Sequence, residues 1–161
     1  MTRFMSAVAI ASLVFACASL SAQSKTSFAG KWTLVPDPNA AAAGGGRGRG
    51  MAGGLGPELT AAQDDKTLTV TTNNPQLGEL KTVYNLDGSE SKNPLNFGGQ
   101  TVDRVSKVKW DGAKLVITTT TQAGEQKRVL SLEGGNLVVD ATTPARDGGA
   151  PTTTKITFKK K

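Results

Sequence analysis

Short apolar alternations separated by Asp-Gly and Gly-Gly pairs confine this chain to antiparallel hairpins. Asp87-Gly88, Asp111-Gly112 and Gly134-Gly135 each stand between two such runs. These residues tolerate the positive φ that two-residue hairpin loops require. Around them the chain keeps a period of two. Leu68 and Val70 alternate with threonines, and Ile156 and Phe158 oppose Lys155, Thr157 and Lys159. The pattern predicts strands at 28–35, 58–61, 67–72, 80–86, 101–110, 114–121, 126–132, 137–142 and 152–159. In the first, Phe28, Trp32 and Leu34 share one face, and Pro36 and Pro38 end the ladder. Pro94 and Gly98-Gly99 read 89–99 as loop or broken strand. In 101–110 the apolar residues Val102, Val105, Val108 and Trp110 do not keep a strict alternation, which predicts a bulge near Ser106.

About eight to ten short strands with a turn every 8–12 residues define an all-β chain, either a barrel or a β-sandwich. The hairpin linkage favours an antiparallel up-and-down β-barrel, because closure leaves no edge exposed to aggregation. The last strand is then expected to close on the first, bringing Phe158 near Phe28 and Trp32. A chain of 161 residues suits one such domain, assigned to 23–161.

Residues 1–22 read as a secretory signal. Arg3 is followed by an uncharged apolar stretch over 5–20, and Ser19, Ser21 and Ala22 are small enough for a cleavage pocket. The alternative, a membrane-anchoring helix, suffers from the shortness of that stretch and the lack of a basic flank. The single cysteine, Cys17, lies in this segment, and Val14-Phe15-Ala16-Cys17 faintly resembles a lipoprotein processing site with a bulky Phe15. A cut after Ala22 leaves a mature chain without a thiol, exported to the periplasm or the medium. Residues 39–56 carry alanines, eight glycines, Arg47 and Arg49, and are expected to form a flexible excursion, since so many glycines cannot recover their ordering entropy by burial. The net charge of +6 falls to +5 without Arg3, and Arg47, Arg49, Lys159, Lys160 and Lys161 account for the remainder. A loop and a tail so charged are not a nucleic-acid groove, which interleaves basic residues with exposed aromatics. Arg-Gly repeats do bind RNA, but two steps are a weak match. No nucleic-acid partner is expected.

The chain contains no histidine. That removes the common general base, the Ser-His and Cys-His triads and His-ligated zinc. Asp87, Asp111 and Asp147 precede glycines and read as turn residues rather than as acids or bases. Asp64-Asp65 lacks the spacing of a calcium loop, and the glycine-rich stretch lacks the Gly-Lys-Ser/Thr and following helix of a phosphate cradle. No catalytic, cofactor or metal residue is assigned, and no enzyme is expected. Trp32, Tyr84 and Trp110 are the candidates for ligand contact; the competing reading makes them core packing, as in any small barrel filled by its own side chains.

Gly30-Lys31-Trp32 resembles the G-x-W signature of lipocalins and related small ligand-binding barrels. With Tyr84-Asn85-Leu86-Asp87-Gly88, the segment from Val108 to Ile117 and the closing Lys155-Ile156-Thr157-Phe158-Lys159-Lys160, the chain resembles a group of exported bacterial lipocalin-like β proteins. The resemblance implies a barrel in the cell envelope, and it supplies no catalytic residue. Lys155 is the nearest counterpart of the basic residue that packs over the signature Trp. Two functions follow as expectations. One is a binding module for a small hydrophobic or amphipathic ligand. The other is a structural or interaction protein with a filled core, touching an anionic surface through its basic loop and tail.

Overall fold

The computed structural model describes residues 25–36, 54–74, 78–97, 99–121, 124–145 and 149–161. The signal segment, Cys17, Arg47 and Arg49 lie outside them. Ten strands follow in chain order: β1 Gly30–Leu34, β2 Glu58–Gln63, β3 Thr67–Asn74, β4 Gly78–Asn85, β5 Ser91–Phe97, β6 Gln100–Asp111, β7 Lys114–Thr121, β8 Gly124–Glu133, β9 Asn136–Thr143 and β10 Thr152–Lys160. They form one sheet in the order β4-β3-β2-β1-β10-β9-β8-β7-β6-β5, and every ladder is antiparallel. β10 joins β1 through Trp32↔Lys160, Thr33↔Lys159 and Leu34↔Phe158. The first and last strands are therefore neighbours, and β4 meets β5 across the remaining gap. The result is a nearly closed up-and-down barrel. No helix of the described residues is long and apolar enough to cross a membrane.

Hairpin chemistry sets the order. Glu133 pairs with Asn136, so Gly134 and Gly135 alone make the loop, with φ of 57° and 83°. That pair of left-handed residues matches the twist of the flanking strands. Asp64 and Asp87 brace two other turns. Asp64 Oδ1 accepts the Lys66 and Thr67 amides at 2.7 and 2.6 Å, and Asp87 Oδ1 accepts the Ser89 hydroxyl and amide at 2.6 and 2.8 Å.

Two expectations about the middle of the chain are corrected. Residues 91–97 form a full strand rather than a loop or broken strand, paired with β6 from Ser91↔Ser106 to Phe97↔Gln100. Pro94 is tolerated because β5 has a backbone ladder on one side only. No bulge occurs near Ser106, because the register runs unbroken from Val105↔Thr120 to Asp111↔Lys114. The alternation of β6 is strict, with residues 102, 104, 106, 108 and 110 facing inward. Two of these, Arg104 and Ser106, are polar, and that hid the period.

The inward faces meet in one core. Phe28, Trp32, Leu68, Leu115, Leu137 and Phe158 are among its buried members. At its floor the G-x-W signature acquires a physical cause. The Trp32 indole donates from Nε1 to the Phe28 carbonyl at 3.0 Å, folding the ring back over Gly30. A Cβ on Gly30 would come 3.4 Å from that Nε1 and 3.2 Å from Lys160 Cε, at a φ of +149°. The cation over the Trp32 ring is Lys160, 5.8 Å from its centroid, and not Lys155. Register decides this: Lys160 lies opposite Trp32, whereas Lys155 faces outward and pairs with Glu133 at 3.3 Å.

Candidate functional site

Above this floor the core opens into an apolar cavity. It is bounded by Phe28, Leu59, Leu68, Tyr84, Ile117 and Arg128, among others. The space is narrow, with a volume of about 20 Å³. That is room for about one water, so a larger occupant must displace side chains. Leu55, at the end of the 39–56 segment, lines the cavity and packs against the core.

Register also sorts the charges. Arg104 on β6 and Arg128 on β8 occupy inward positions, in step with Val108 and Leu130. The strand carboxylates Glu58, Glu79, Asp103, Asp111, Glu125, Glu133 and Asp140 all fall on the opposite, outward register. Among the described residues, no carboxylate shares the barrel interior with the arginines. Arg104 is half-buried. Burial pushes its guanidinium below the usual arginine range, the like charge of Arg128 adds to that, and Tyr84 opposes it. Arginine stays charged in any physiological medium, so two positive groups face the interior: Arg128 on the cavity wall, and Arg104 near enough to Tyr84, itself on that wall, to feel it.

Polar side chains continue around the wall. Ser106 and Thr119 are buried and hydrogen-bond each other at 2.8 Å across β6 and β7. Asn93 on β5 is also buried. Its Oδ1 accepts the Val83 amide at 2.8 Å, and its Nδ2 donates to the Val83 carbonyl at 2.9 Å. Ser91 Oγ accepts the Asn85 amide at 2.8 Å. These side chains stand where a β4–β5 backbone ladder would be.

Of the residues singled out from the sequence, Tyr84 lines the cavity. Trp32 and Trp110 do not. Trp110 stacks on Phe28 with centroids 6.1 Å apart, and its Nε1 has no hydrogen-bond partner. Asp64 and Asp65 belong to a turn, and no group able to hold a metal ion occurs among the described residues. Sequence reasoning missed Arg104 and Arg128. A strict two-residue period through Val102 and Val108 would have found the first, and one through Gln126 and Leu130 the second.

No protein-family model and no curated protein matches the chain. Solved structures do. A mutant of the fluorescent protein UnaG is 21% identical, with a TM-score of 0.59 over 83% of this chain and 96% of its own. A mutant of the fatty acid transporter REP1-NXSQ is 17% identical, with a TM-score of 0.56 over 82% of this chain and 96% of its own. The zebrafish ileal bile acid-binding protein, in complex with cholic acid, is 22% identical, with a TM-score of 0.56 over 83% of this chain and 98% of its own. Identity this low speaks for the fold alone. The chain is an all-β up-and-down barrel of the architecture these structures share, with an apolar interior and two inward arginines.

Proposed function

We propose that the barrel binds a small amphipathic anion. Its apolar body lies in the cavity, and its charged end meets Arg104 and Arg128 beside the Tyr84 hydroxyl. The sorting of charge by register carries this reading. The half-buried Arg104 guanidinium faces inward while every carboxylate of the described strands faces out, an arrangement that an anionic guest balances. The solved neighbours named for a fatty acid and for a bile acid support the same class of ligand. Native mass spectrometry of protein from its own host tests it directly, since a retained ligand appears as added mass. A second test uses a fluorescent anionic amphiphile. Arg104→Gln should weaken it about tenfold, the worth of one charged hydrogen bond, and leave a neutral analogue unaffected. Equal loss for both probes would sink the anionic reading.

The narrowness of the cavity favours a second reading, a filled barrel with a structural or interaction role. Absence of any bound or exchangeable amphiphile would select it. We further propose export, as in the lipocalin-like group that the G-x-W strand resembles. Arg3, the apolar stretch after it and the small residues up to Ala22 support this. An intact mass starting at Gln23 is the expected result, and one retaining residues 1–22 would contradict it.

A further inference from the structure

The geometry points to the β4–β5 seam as the passage by which the ligand enters and leaves, with Asn93 as its latch. This rests on the binding function proposed above. Among the described residues, all other neighbouring strands are joined by backbone ladders, whereas β4 and β5 have none. What closes the gap is side chain on backbone: both hydrogen bonds of the Asn93 amide to Val83, the Ser91 hydroxyl on Asn85, and Asn85 Nδ2 on the Glu90 carbonyl at 3.0 Å. Among the described residues, parting the strands here breaks these four bonds and no ladder. The groups released can turn to water, so the open state leaves no buried polar group unpaired. The shortest ladder, β1–β10, has three residue pairs but is backed by Trp32 and Phe158, whose exposure would open the core. The β4–β5 seam is backed by Asn93 and Ser91, which tolerate water.

Its position fits the site. Tyr84 follows Val83 on one lip, and Arg104 lies opposite Asn93 behind the other. Opening the seam therefore draws Tyr84 away from Arg104, so one movement makes the passage and loosens the grip on the charged end. The cavity as it stands admits about one water, so some part of the wall has to move for any ligand to bind.

The test follows anilinonaphthalene sulfonate, an anionic fluorescent amphiphile, by stopped flow on the full chain. In Asn93→Ala, association and dissociation should both accelerate, by about tenfold for two lost hydrogen bonds, with Kd changing by less than about threefold. Thr142→Ala, which removes an outward hydrogen bond across the laddered β9–β10 pair, should leave both rates unchanged. Ser91→Ala loses one bond and should show a smaller acceleration of the same kind, and it serves if Asn93→Ala fails to fold. Hydrogen exchange in the unaltered protein should show the Val83 and Asn85 amides opening more readily than those of β8. Rates at the parental value in a variant whose Val83 amide exchanges faster would overturn the passage while leaving the binding function intact. Acceleration in Thr142→Ala as well would mean that the variants loosen the whole barrel, and would overturn the passage. Failure of the unaltered protein to bind the probe would remove function and passage together.

Discussion

Trp32 is tied to the barrel by three interactions of different physical kinds: burial in the core, a hydrogen bond to the Phe28 carbonyl, and Lys160 over its face. Truncation loses all three and leaves a void. Trp32→Ala should therefore lower stability by about 3–5 kcal/mol, seen as a shift of the denaturant midpoint. Asp64 and Asp87 make a different kind of contribution. Amide and hydroxyl donors hold both carboxyls below their ordinary value of 3.8: chiefly the Lys66 and Thr67 amides for Asp64, and the Ser89 hydroxyl and then its amide for Asp87. Because the folded values are depressed, the stabilisation is present above 3.8 and is lost as pH falls through the folded values. The Asp64→Asn, Asp87→Asn variant should show a shallower fall of thermal midpoint with acidification below that pH. An unchanged slope would mean that the turns hold without these charges.

Among the elements, β6 and β7 share a buried hydroxyl pair, Ser106 with Thr119. Either single change to a residue without a hydroxyl leaves the partner buried and unpaired, at a cost of about 1–3 kcal/mol. The double variant Ser106→Ala, Thr119→Val should cost less than the sum of the singles, which a double-mutant cycle measures. This pair also shows why some elements were legible in the sequence and others were not. The β8–β9 and β6–β7 hairpins announce themselves through Gly134-Gly135 and Asp111-Gly112, which are local chemistry. Closure of β10 on β1 follows from apolar faces that need partners. β5 was hidden because its inward residues include Ser91 and Asn93, so it shows no apolar alternation, and because Pro94 argues against a strand. Arg104 was hidden by the same logic, since a polar inward residue looks like a break in the period. Function and legibility conflict here. A site inside a barrel puts polar groups where the pattern calls for apolar ones, and their register is settled only by strands distant in sequence.

At the scale of the molecule, the barrel separates a tightly filled floor from a polar wall, and the 39–56 segment joins β1 to β2. Replacing 39–53 with a short Gly/Ser turn that keeps Leu55 should change stability by about 1 kcal/mol or less, because closure entropy varies slowly with loop length. A fall of many degrees in melting temperature would show that the segment is packed. Strand pairing has a further consequence, and it concerns time. The partners Trp32 and Lys160 are more than a hundred residues apart, and β10 leaves the ribosome after the other nine strands. Hairpins such as β6–β7 can form as they emerge, but until β10 arrives both β1 and β9 are open edges and the core lacks Phe158. Folding therefore cannot finish before β10 has emerged. Until then the growing chain stays pliant, and it becomes a rigid, closed object only once its tenth strand has docked.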